Sequence, residues 1–197
     1  MKAFVLVACV LVPASAYAQH FEIAPLTLFA HSSAVTIEPR AANVDDLKID
    51  GGFVWGAAGG FVFPNGLGLE LHLRRQHTGL LLTSAGRMET LFYMTAYDVD
   101  ADITYQFAHS ETLEPFVSGG FGSTFFSTDS ISRQSFPAWN IGVGLKWYAI
   151  RHVGVRIDGR YRATFTDTGS SDYCVPFSFC QRTLSNFQIG AGAQWRF

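Results

Sequence analysis

The chain closes on Asn186–Phe197, NFQIGAGAQWRF. Taken every second residue, the stretch splits in two: Asn186, Gln188, Gly190, Gly192, Gln194 and Arg196 fall on one side, and Phe187, Ile189, Ala191, Ala193, Trp195 and Phe197 on the other. A β-strand sends successive side chains to opposite faces, so this segment offers one face to water and one to lipid. It predicts a transmembrane strand that ends on an aromatic residue.

Composition points the same way. Aromatic residues make up 15% of the 197 and charged residues also 15%, whereas soluble domains carry about 25% charge. Yet no apolar run beyond the first residues approaches the ~20 needed for a membrane helix. Backbone groups in lipid must all be paired, which leaves a closed β-barrel as the way across. The net charge of −2, with basic residues scattered, gives nucleic-acid binding no electrostatic support.

At the other end, Lys2, the apolar run Phe4 to Val12 and the small-x-small site Ala16, Tyr17, Ala18 predict a cleaved signal peptide over 1–18. Residues 19–197 then form one barrel domain. Cys9 leaves with the signal. Cys174 and Cys180 remain, bound for an oxidising compartment, and are expected to form a disulfide. The loop they close is short, so the bridge contributes no more than about 3 kcal/mol, local to that loop.

Period-two reading gives eight strands, at about 20–31, 49–63, 66–77, 90–107, 113–127, 137–149, 152–166 and 184–197. The predicted fold is all-β, an eight-stranded antiparallel up-and-down transmembrane β-barrel. The connections after strands two, four and six are tight, at Pro64–Gly66, His109–Thr112 and Ile150–Arg151. Those after strands one, three, five and seven read as long loops, Ser32–Lys48, Thr78–Glu89, Thr128–Phe136 and Asp167–Thr183. Alternate connections share a rim, which is the outer-membrane pattern of short periplasmic turns and longer external loops. The predicted lipid faces carry no charge in strand four (Tyr97, Val99, Ala101, Ile103), strand six (Trp139, Ile141, Val143, Leu145, Trp147) or strand seven (Val153, Val155, Ile157, Tyr161). Arg75 is the exception and is placed near the external rim, where it reaches head groups. Tyr105, Phe107 and Trp147 fall where a periplasmic aromatic girdle belongs.

The opposite faces hold Glu70, His72 and Arg74; Asp98, Asp100 and Asp102; Lys146; Arg156, Asp158, Arg160 and Arg162; and Arg196. An eight-stranded barrel is only just wide enough for its own side chains, so these groups must meet. Counting from the periplasmic rim sets Asp102 level with Arg156 and Asp98 with Arg160. A lumen ionic network that blocks the barrel is expected, because an unpaired buried charge is costly. The Asp98, Asp100, Asp102 series has the look of a calcium loop but puts Ile103 where the turn glycine belongs. No metal or cofactor is predicted. The histidines form no ligand pair, and His72 alone looks inward, as a partner for Glu70. His31, Ser32 and Ser33 put a base beside hydroxyls near the outer rim, but no third orienting group accompanies them. No catalytic residue is therefore named, and the chain is not read as an enzyme.

The segments Gly66–Thr78 (GLGLELHLRRQHT), Glu114–Phe126 (EPFVSGGFGSTFF), Ile141–Thr164 (IGVGLKWYAIRHVGVRIDGRYRAT) and the terminal Gln194–Phe197 resemble the small eight-stranded outer-membrane barrels of Gram-negative bacteria, the OmpA-like and OmpW-like outer membrane protein beta-barrel group. The resemblance implies a bacterial outer-membrane location, contact with outer-membrane lipid and lipopolysaccharide, and insertion by the barrel assembly machinery. Trp195 and Phe197 look like its assembly signal. It brings no catalytic residues to transfer, and no peptidoglycan-binding domain is expected after the barrel.

Three classes of function follow. One is a structural or surface-interaction protein whose external loops are the contact surface, with the loop partner unknown. Another is a narrow channel for small apolar molecules, as OmpW-like members are thought to be. The third is a soluble, lipocalin-like binder with its apolar face turned inward. A lipid A-modifying enzyme, a role that some small barrels fill, has only the His31–Ser33 cluster behind it.

Overall fold

Alternating side chains leave a strand with two unlike faces, and closing such strands into a ring turns one face in and the other out. The computed structural model describes residues 20–32, 34–35, 46–84, 87–107, 112–128, 131–166 and 182–197. The predicted signal peptide, His109, Cys174 and Cys180 lie outside them. The strands are β1 (His20–Ser32), β2 (Ala34–Val35), β3 (Asp46–Ile49), β4 (Gly52–Val62), β5 (Leu67–Ser84), β6 (Arg87–Gln106), β7 (Leu113–Thr128), β8 (Ile131–Ile150), β9 (Val153–Thr166) and β10 (Arg182–Arg196). Eight of them form a closed antiparallel wall in the order β1-β4-β5-β6-β7-β8-β9-β10, with β10 returning to β1. The closing ladder pairs Ile23 with Trp195, and Phe21 and Phe197 exchange backbone hydrogen bonds at its end.

Chemistry sorts the two faces. Large apolar side chains stand on the outside, among them Phe121 at 77% exposure, Trp55 at 64% and Ile103 at 61%. Charged side chains fill the inside, where Arg156, Arg162 and Asp100 have no exposure. A soluble barrel requires the reverse, and the lipocalin-like arrangement is overturned. The tight turn between β4 and β5 works as expected: Gly66 takes φ 82°, its amide donates to the Phe63 carbonyl at 3.0 Å, and Asn65 Oδ1 accepts from the Leu67 amide at 3.1 Å.

Three of the four predicted loops need correction. The stretch Thr78–Glu89 is mostly strand, because β5 runs to Ser84 and β6 starts at Arg87. Likewise β7 reaches Thr128 and β8 starts at Ile131. Both hairpins carry a register shift, at Leu80/Leu81 and at Phe126/Thr128. An extra residue inverts the parity of every side chain beyond it, so the two-residue period that marks a strand is lost there. The connection Ser32–Lys48 holds β2 and most of β3, and β3 adds to β5. Residues 167–181 of the fourth loop lie outside the described residues.

Candidate functional site: the charged lumen

Inward-facing charges meet across the lumen in three groups. Nearest the external side, Arg162 pairs with Asp100 and lies 3.3 Å from Asp98 Oδ1, and Arg74 pairs with Asp100 from the other side. Thr124 completes this group: its hydroxyl donates to Asp98 at 2.8 Å and accepts from Arg162 at 2.9 Å. Arg74 also donates to Gln188 Oε1 at 2.7 Å. In the middle, Arg156 grips Glu70 through both terminal nitrogens and donates through Nε to Asp158 at 2.9 Å. Arg160 pairs with Asp102 and donates to Asn140 Oδ1 at 2.8 Å, while Asn140 Nδ2 donates to Asp102 at 2.9 Å. His72 Nε2 stands 2.9 Å from Glu70 and 3.4 Å from Asp102.

The group nearest the periplasmic turns has Glu22 at its centre. It accepts from Lys146, from the Tyr148 hydroxyl at 2.8 Å and from Arg196 at 3.3 Å, and His20 lies 2.9 Å away. Arg196 also pairs with Glu114, and its guanidinium sits 3.8 Å over the Tyr148 ring. Between this group and the middle one lies Phe116, 2% exposed, with Lys146 Nζ at 5.2 Å and the Arg156 guanidinium at 4.5 Å from its ring centroid. The ring fits because Gly144 faces it, where a Cβ would come 2.4 Å from the Phe116 Cζ. Both cations face the ring's negative π-surface, so Phe116 is held electrostatically as well as by packing.

All twelve residues expected in the network face inward, Arg196 with its side chain 18% exposed. Their expected levels are displaced. Asp102 meets Arg160 rather than Arg156, and Asp98 meets Arg162 rather than Arg160. Barrel strands tilt by about 35–45°, so residues at equal counts from a rim do not share a height. Glu22, Glu114, Tyr148 and Phe116 are additions. Among the described residues the lumen therefore joins six bases (Arg74, Lys146, Arg156, Arg160, Arg162, Arg196) to seven acids (Glu22, Glu70, Asp98, Asp100, Asp102, Glu114, Asp158), not to five. Glu22 is not legible in the sequence because β1 is apolar on both faces, Ala24, Leu26 and Leu28 inward against Ile23 and Phe29 outward, and so does not announce which side is in.

Each Asp of the Asp98, Asp100, Asp102 series is held by a guanidinium. No group of three or more His, Cys, Asp or Glu among the described residues is arranged to hold a metal ion. His31 is exposed, and Ser33 lies outside the described residues. His77 stacks on Tyr93 at 5.9 Å outside the wall. Above the network, Gln76, Thr78, Asp98, Thr124 and Asn186 line a small cavity of about 30 Å³, room for a water or two.

A closed wall with hydrocarbon-facing aromatics and an ionised interior defines an integral membrane β-barrel. The profile of the outer membrane protein beta-barrel domain matches residues 3–197, and the chain belongs to that family. It is a bacterial outer-membrane protein. No curated protein sequence matches it. Among solved structures, OprG of Pseudomonas aeruginosa is similar with a TM-score of 0.67 at 12% identity, over 90% of this chain and 95% of that one. Neisserial surface protein A gives 0.56 at 12% identity over 91% and 97%, and OmpW of Escherichia coli 0.52 at 14% over 90% and 97%. At these identities the likeness is one of fold.

Proposed function

We propose that the lumen is sealed to ions and that the protein acts as a structural or surface-interaction element through its external end. The observation behind this reading is the continuity of the charged groups. From Arg74 and Asp98 down to Arg196 and Glu114, each cation touches a carboxylate, and Phe116 fills the gap between the lower two groups. A pore lining needs ionised groups facing water, whereas these are buried against one another. Among the described residues every lumen carboxylate is engaged by a cation, and the reading assigns these groups a structural role rather than a catalytic one.

The external end supplies the contact surface. β6 leaves β7 above Thr95, but its ladder with β5 continues from Thr78↔Met94 to Ser84↔Arg87, and β3 and β2 extend that sheet sideways. This small sheet stands beyond the closed wall, where a surface partner has access to it.

A second reading, a narrow conduit for small apolar molecules, draws on the apolar strip that Ala24, Leu26, Leu28, Ala30, Val54 and Ala58 present to the lumen. Vesicle assays separate the two. Liposomes carrying the barrel are expected to swell no faster than empty ones in isotonic amino acid or sugar, and to admit indole at the bare-bilayer rate. Faster swelling overturns the seal, and accelerated indole entry alone transfers the case to the conduit.

A further inference from the structure

Most of the outer wall is ridged with large side chains, but it dips where β4 passes between β1 and β5. Ala57 and Gly59 on β4, with Ala101 on β6, floor a groove of about 710 Å³ whose walls include Ile23, Phe61 and Leu71. The ladders place these together: Gly59 lies between Ile23 and Leu71, and Leu71 lies beside Ala101. Close packing of the wall does not explain the glycine. A Cβ on Gly59 would come no nearer than 3.8 Å to the Glu22 carbonyl and 3.9 Å to the Phe21 ring, whereas one on neighbouring Gly60 would sit 2.3 Å from the Leu69 carbonyl. Gly60 is small because the wall demands it. Gly59 leaves outward space unfilled.

The groove is apolar at the level of side chains. Glu70 and Asp102, whose backbones lie beneath it, turn into the lumen to Arg156 and Arg160. Its height is set by its neighbours. It opens beside the first residues of β1 and the last of β4, next to the ring cluster of Phe21, Phe61 and Phe197, which lies on the rim of short turns. That is the periplasmic half of the membrane, and hydrocarbon is the solvent there.

We propose that this groove seats an acyl chain of a diacyl phospholipid from the periplasmic leaflet, and holds it longer than lipid elsewhere on the wall. Ridges on both sides increase the contact per methylene over that of a flat face, which is the source of the added retention.

The test is native mass spectrometry of the barrel released from vesicles of phosphatidylethanolamine and phosphatidylglycerol with added lipopolysaccharide. The natural protein is expected to keep a phospholipid rather than lipopolysaccharide. A variant with Gly59→Leu and Ala101→Leu fills the groove and removes the chain's added contacts, and its retained phospholipid is expected to fall to the level of lipid held elsewhere on the wall. Gly159→Leu, on the outward face of β9, where a Cβ also has ordinary contacts at 3.7 and 4.0 Å, is expected to leave retention unchanged. If the double variant fails to give the folded, boil-sensitive gel band, Ala57→Leu is read in its place. Retained lipopolysaccharide, a bound second copy, no retained lipid, or equal retention in the filled and natural barrels overturns the proposal.

Discussion

Arg156 ties two carboxylates and an aromatic ring together in the middle of the lumen. It has no exposure, it holds Glu70 with two bonds and Asp158 with a third, and it covers one side of Phe116. Arg156→Gln removes the charge and shortens the side chain, leaving Glu70 and Asp158 without the cation that joins them, and removing one partner of a buried pair costs about 3–5 kcal/mol. Guanidinium unfolding of the barrel in lipid vesicles measures that loss, and an unchanged midpoint contradicts the role given to Arg156. Phe116 makes a separate prediction. Phe116→Ala empties the space opposite Gly144 and lowers stability by about 3–5 kcal/mol if the site does not collapse, with the same measurement as the check. Of these two residues only Arg156 was legible from alternation. Phe116 sits among lumen charges on a strand rich in outward aromatics, and an aromatic on an inward parity signals nothing until the partner glycine is seen.

At the scale of elements, the strands within the bilayer were readable because lipid fixes one face. The lower parts of β5, β6, β8 and β9 alternate without interruption. Above the closed wall no such force acts, and the shifts at Leu80/Leu81 and Phe126/Thr128 break the alternation. In the sequence those hairpins therefore read as loops. The distinction is testable, since among the described residues β6 has no β7 partner above Thr95. Replacing Leu82–Glu89 with Asn-Gly joins the paired residues Leu81 and Thr90 through a two-residue turn. The change is expected to leave insertion intact and alter the unfolding free energy by no more than about 0.5 kcal/mol, the range of surface changes. Loss of the boil-sensitive band in detergent gels would show that the external sheet supports the wall after all.

For the molecule as a whole, orientation decides everything else. Val143 stands on the outer face of β8 at 59% exposure, and Val143→Arg places a charge in hydrocarbon at a cost of about 2–4 kcal/mol near the midplane. Arg75, by contrast, already lies outside near the external rim, 5.8 Å from the Tyr97 ring centroid. Arg75→Leu is expected to be nearly neutral in the same unfolding experiment, and equal costs for the two substitutions would put the membrane at the wrong height. The fold was legible because both faces are chemically pure along most strands. Pairing within the lumen was not, since tilt moves the partner of Asp102 on β9 by four positions, from the expected Arg156 to Arg160, while its neighbour along the ladders is Arg162. Planar-bilayer recording of the natural protein in concentrated potassium chloride bears most directly on the sealed interior. Insertion without current steps is the predicted result, and steady unitary openings would contradict it.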